Sequence, residues 1–123
     1  MGTITKTNER QARRLLVAAT IAKRSTACSP WGAATDAARL RTLAKRLDTY
    51  NEAVCNRPMS EREYKAADGW QREVERIAHL HGASVHFGGD PRGPAVRLYW
   101  PDMIPAGGDP DTYSDRMLPV EID

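Results

Sequence analysis

The sequence predicts an α+β fold: an antiparallel helical hairpin plus an N-terminal helix, packed on a small antiparallel β-hairpin or three-stranded sheet. Three features point to it. Apolar residues recur three and four apart through residues 36–81, the period falls to two after Gly82, and Pro and Gly stand where one pattern gives way to the next. A chain of 123 residues can remove roughly 65% of its unfolded surface from water, so residues 1–123 are expected to form a single domain without a metal or disulfide staple.

The N-terminal helix is expected over 8–24. Asn8 serves as N-cap, Ala12, Leu15, Leu16, Ala19 and Ile21 or Ala22 mark one face, and Arg10, Arg13, Arg14, Lys23 and Arg24 mark the other. Ser29-Pro30-Trp31-Gly32 reads as a break, with the next helix starting at Thr35 or Asp36. Leu40, Leu43, Leu47, Tyr50 and Val54 then form a heptad-like seam.

Pro58 cannot continue that helix, and Ser60 with Glu63 has the spacing of a capping box. The following helix runs from Ser60 to about His81, so 36–81 reads as an antiparallel hairpin. Its facing seam is Tyr64, Ala67, Trp70, Val74, Ile77 and Leu80 or His81. Gly82 takes the position after the helix where a left-handed residue is wanted. Gly69, inside the helix, is expected to mark the close approach of another backbone. A β-hairpin follows over 84–100, with Val85 and Phe87 alternating with Ser84 and His86, and Val96, Leu98 and Trp100 alternating with Ala95, Arg97 and Tyr99. In the acidic tail, 101–123, the stretch 117–122 is expected to add an edge strand despite Pro119.

Charge is segregated along the chain. Residues 1–58 carry 11 Lys/Arg against 4 Asp/Glu, a net of +7, and residues 59–123 carry 7 against 12, a net of −5. The halves therefore attract one another or serve different partners. No run is apolar enough to span a membrane, and charges at the N-terminus interrupt the apolar core that a secretory leader needs, so a cytoplasmic location is expected. Cys28 and Cys55 are expected to be free thiols.

Two candidate binding sites emerge. In the loop HFGGDPRGPAV, glycines 88, 89 and 93 permit conformations that gather backbone N–H groups, and Arg92 offers a planar fork for phosphate or carboxylate. Gly89, Asp90, Arg92, Gly93, Arg97 and Tyr99 would form this site. The same residues also describe an ordinary turn, in which Gly-Gly takes positive φ, Asp90 bonds its own backbone and the prolines stiffen the loop. The second candidate is a basic face, Arg10, Arg13, Arg14, Arg39, Arg41 and Arg46, which could follow a phosphate backbone with Trp31 stacking on a base. That face could equally be solvated or covered by the acidic tail.

His79, His81 and His86 lack metal-ligand spacing, no nucleophile–base motif is present, and Glu61, Glu63, Glu73 and Glu75 read as helix-surface acids. No enzyme activity, cofactor or metal is expected. Trp70 is expected in the core. Because neighbouring strand residues face opposite ways, Tyr99 or Trp100 should point outward, where aromatics and Arg favour protein contacts.

The ordered set Leu40, Leu43 and Leu47, then Cys55-Asn56-x-Pro58-x-Ser60-Glu61, Ile77-Ala78, Gly82 and Val85-x-Phe87-x-Gly89-Asp90-Pro91-Arg92-Gly93-x-x-Val96-x-Leu98 resembles a group of small bacteriophage and prophage accessory proteins over about residues 36–100. The resemblance implies a non-enzymatic phage-type protein in a bacterial cytosol that binds a host protein or protein–nucleic-acid complex, including inhibition of a defence system such as CRISPR. Alternatives are a nucleic-acid-binding regulator using the basic helices and a nucleotide or small-anion binder using the loop.

Overall fold

The computed structural model describes Thr20, Ile21, Arg24 and residues 30–120, with side chains in the first complete helix described from Thr35 onward. The architecture is α+β. Helix α1 spans Pro30–Asn56 and α2 spans Glu61–Leu80, followed by strands β1 (Ser84–Phe87), β2 (Val96–Tyr99) and β3 (Leu118–Pro119). Short 3-10 segments at Pro101–Met103 and Pro110–Arg116 lead from β2 to β3. Of the expected N-terminal helix, Thr20, Ile21 and Arg24 are helical, and the rest lies outside the described residues.

Helix α1 begins at Pro30, six residues before Asp36. Proline does not break the helix there because the N–H it lacks would have no intrahelical partner in the first turn, and its fixed φ suits that position. The turn into α2 follows the expected chemistry. The Ser60 N–H donates to Glu63 Oε1 at 3.1 Å and the Glu63 N–H donates to Ser60 Oγ at 3.2 Å, completing the capping box. Arg57 adds a two-pronged bond to the same carboxylate at 3.1 and 2.7 Å.

Helix α2 ends in a Schellman arrangement. Gly82 sits at φ +76°, its N–H donates to the His79 carbonyl, and the Ala83 N–H donates to the Ala78 carbonyl. The residue after the helix must be left-handed, and glycine is there because it adopts that conformation without steric cost.

The two helices are antiparallel, as successive cross-pairs show. Tyr50 meets Tyr64 edge-on at 6.3 Å, Arg46 lies over Trp70 at 5.9 Å, Arg39 clasps Glu73, and Asp36 bonds His81. Leu40, Leu43, Ala44 and Leu47 are buried between them with Ala67, Val74, Ile77 and Ala78. The expected seam opens near the turn, where Val54 and Tyr64 are 43% and 54% exposed, while its far end stays closed at Leu40 and Ile77.

At the end of α2, His81 is buried and Leu80 is 44% exposed. The buried position goes to histidine because Nε2 lies 2.7 Å from Asp36 Oδ2, which satisfies a ring nitrogen that burial would otherwise strand.

The sheet is an antiparallel meander with β2 in the centre. Val85 lies opposite Leu98 and Phe87 opposite Val96 on the face toward the helices, while Arg97 lies opposite His86 and Tyr99 opposite Ser84 on the outer face. The two-residue β3 accommodates Pro119 at the other edge, paired with Arg97. Trp100 is buried and its indole N–H donates to the His81 carbonyl at 3.1 Å, tying the end of β2 to the end of α2.

Gly69 does not mark a close approach: a Cβ there would meet nothing within 4 Å. Gly69→Ala is therefore expected to stabilise the protein by about 0.5–1 kcal/mol through helix propensity, measured by urea unfolding. Glu63 gives a pH signature. Its carboxyl is held down at about 2 from the usual 4.5, first by the Arg57 bond and then by the Ser60 backbone and hydroxyl. The folded state favours the carboxylate, so this contribution is present above pH 4.5 and is lost as pH falls toward 2. Across that window Glu63→Gln should flatten the decline of unfolding free energy with acidification.

Candidate functional site

Three hydrogen bonds shape the loop between β1 and β2. The Gly88 N–H donates to the Ala95 carbonyl at 2.9 Å, closing the ladder. Inside it, Asp90-Pro91-Arg92-Gly93 forms a tight turn in which the Gly93 N–H donates to the Asp90 carbonyl at 3.1 Å. The Arg92 N–H donates to Asp90 Oδ1 at 2.9 Å. The Arg92 and Gly93 N–H groups, which could have helped to cradle an anion, are thus engaged by Asp90 itself.

The expected positive φ at Gly-Gly is not found, since among the described residues only Gly82 and Gly107 have it. Gly88 is required for space instead: a Cβ there would stand 2.7 Å from the Pro94 carbonyl oxygen.

The loop is anchored to α1 by two polar side chains that sequence reasoning missed. Asp48 Oδ1 accepts the Ala95 N–H at 2.8 Å, and Asn51 Nδ2 donates to the Gly88 carbonyl at 2.8 Å. They lie three apart on one helix face, yet nothing in their local sequence distinguishes them from solvated helix residues.

The loop residues and the strand residues of this candidate separate in space. Gly89, Asp90 and Arg92 are exposed at the turn and Gly93 is half-buried there, whereas Arg97 and Tyr99 sit half-buried on the outer face of β2. Alternation places those two on the same face, since they are two apart. Neither side chain has a hydrogen bond or ion pair among the described residues. Beside Arg97, across the strand pair, His86 Nε2 lies 3.0 Å from Asp111 Oδ1, and its Nδ1 is buried with no partner.

The basic-face candidate is divided. Arg10, Arg13 and Arg14 lie outside the described residues, as does the Trp31 side chain. Arg39 donates to both Glu73 oxygens at 3.0 and 3.1 Å, drawing the Glu73 carboxyl below its usual range, and Arg46 covers Trp70. Arg39 and Arg46 are seven apart and face α2, whereas Arg41, two residues from Arg39, points to a different side of the helix. Helix α1 therefore does not present the three as one phosphate-binding stripe.

Part of the acidic tail does reach the basic half. Arg24 Nη1 bonds Asp102 Oδ1 at 2.6 Å, holding that carboxyl below its usual range, and the guanidinium sits 5.1 Å over the Trp100 ring.

The histidines occupy separate settings: His81 is buried on Asp36, His86 is on the sheet beside Asp111, and His79 is exposed. His79 lines a shallow concavity of about 530 Å³ with Arg72, Glu75, Arg76 and Leu80 on the outer side of α2. Of the helix-surface acids, Glu61 bonds Lys65 at 3.2 Å, while Glu63 and Glu73 serve the turn and the helix pair. Cys55 is a free, exposed thiol.

Two substitutions separate the loop's anchors from its tip. Asp48→Ala should destabilise the fold by about 1–3 kcal/mol by stranding the Ala95 N–H. Arg92→Ala, which removes an exposed side chain, should stay within about 0.5 kcal/mol of the parent in thermal unfolding. Comparison with family models, curated proteins and solved structures finds no match, so function has to be read from this geometry.

Proposed function

We propose that the chain is a non-enzymatic binding protein that works by surface contact, using the outer face of the sheet around Arg97 and Tyr99. The carrying observation is that these two side chains, adjacent on the outer face of the central strand, are half-buried yet have no partner among the described residues. By contrast, Arg24, Arg39 and Arg57 are each bound to an internal carboxylate. Aromatic residues and arginine supply a disproportionate share of binding energy at protein interfaces. A rigid strand also holds them in place at little entropic cost.

The partner we propose is a bacterial host protein or protein–nucleic-acid complex, with the chain acting as a phage-type accessory protein that occupies a functional surface of a defence system such as CRISPR. This finer reading rests on the motif resemblance over residues 36–100. The segregated charge agrees with it, because an acidic C-terminal half suits a basic groove of the kind that binds nucleic acid.

The test compares host proteins retained from a bacterial lysate by the parent chain and by the Arg97→Ala/Tyr99→Ala double variant. Loss of two interface anchors should lower retention of a specific partner by about tenfold or more while the thermal midpoint holds. Equal retention would remove the outer face from the binding surface. A chain that captures no protein but shifts DNA at physiological salt would replace this reading with nucleic-acid binding.

A further inference from the structure

Residues of an antiparallel strand alternate between exchanging hydrogen bonds with their neighbour and directing their N–H and C=O groups away from it. The Gly88 N–H bonds the Ala95 carbonyl, and the register pairs Ser84 with Tyr99 and His86 with Arg97. Ser84, His86 and Gly88 therefore bond toward β2, whereas Val85 and Phe87 direct their backbone groups to the opposite side.

The same alternation is visible across β2, where the Val96 carbonyl turns away from β1 and accepts the Val120 N–H at 2.9 Å. Strand β1 is terminal in the sheet, and its outward groups at Val85 and Phe87 have no hydrogen-bond partner among the described residues. The opposite edge differs, because β3 is two residues long and contains Pro119.

An unpaired edge with half-exposed apolar side chains is a template for another extended chain. Two features define what fits. An incoming residue opposite Val85 or Phe87 places its side chain on their face, beside those half-buried apolar groups. The alternate residues fall on the outer face, where exposed Asp111 lies beside His86 and the Pro110–Arg116 segment that packs on β1 carries two carboxylates, Asp111 and Asp115, against Arg116.

The geometry points to β1 as a docking edge for an extended segment of a protein partner that alternates apolar residues with Lys or Arg. This rests on the reading of the chain as a protein-binding molecule but uses a different surface from Arg97 and Tyr99. A second copy is the poorer occupant. Antiparallel pairing of β1 with itself sets His86 against His86 and brings two acidic segments together.

The test is amide hydrogen exchange by NMR on the full chain, with and without a short synthetic peptide alternating valine and lysine. In the free protein the Val85 and Phe87 amides should exchange much faster than those of His86 and Gly88. The peptide should slow both by about tenfold or more. Asp111→Asn, which keeps an acceptor for His86 but removes the charge, should weaken peptide binding by about two- to fivefold. A valine–glutamate peptide should give no protection.

Protection of Val85 and Phe87 in the free monomer would overturn the proposal. So would equal protection by the glutamate peptide, or protection that appears only as sedimentation shows dimer without peptide. The readout here is exchange at the Val85 and Phe87 amides rather than retention of a host protein, so failure of the outer-face reading is distinguishable from failure of this one.

Discussion

The apolar contact between α1 and α2 is the constraint from which the other positions follow. Leu40, Leu43 and Leu47 have almost no exposed surface, and neither do Val74 and Ile77 opposite them. Each such side chain contributes about 1.5–3 kcal/mol when removed from water, far more than the exposed ion pairs along the same helices. With that contact closed, Asp48 and Asn51 project from α1 at the height of the hairpin loop, and His81 and Gly82 deliver the chain to the start of β1. Arg39–Glu73 and Asp36–His81 flank the contact and fix its register without driving it.

The sheet depends on the helices more than the helices depend on it. A four-residue strand, another of the same length and a two-residue third do not form a stable sheet alone. Val96, Leu98 and Trp100 are buried on the helix face, so tertiary packing supplies what the short ladder lacks. The polar anchors serve the same end. Asp48 substitutes for a missing strand partner at Ala95, and Trp100 hydrogen-bonds the last turn of α2. Among the described residues this leaves the Arg97 and Tyr99 side chains and the outward backbone groups of Val85 and Phe87 without a hydrogen-bond partner, and the proposed contacts fall there.

Local chemistry was legible in the sequence and long-range polar contacts were not. Ser60 with Glu63 and Gly82 announced the ends of α2 because capping acts within a few residues. The spacing of Leu40, Leu43 and Leu47 announced the seam, and alternation announced Val96, Leu98 and Trp100. The choice between Leu80 and His81 depended on Asp36, which is 45 residues away, and no periodicity encodes that distance. In the sequence Pro30 has the look of a breaker, because a proline that ends one helix and a proline that opens another look alike without the preceding cap. At the candidate site, the internal bonds of Asp90 were foreseeable from turn chemistry. The division of Arg39 and Arg46 from Arg41 follows from helix geometry, but Arg39's engagement with Glu73 required the partner helix to be in place.

Gly88 and Arg92 lie four positions apart in one loop and experience opposite constraints. At Gly88 the Pro94 carbonyl leaves no room for even a methyl group, while the Arg92 side chain extends into solvent. Mutational drift through this loop would therefore be uneven, with the first glycine held by negative selection and the arginine free to vary unless a partner reads it. In descendants of this chain, invariance at 92 would be a trace of binding, whereas invariance at 88 would report only on steric exclusion.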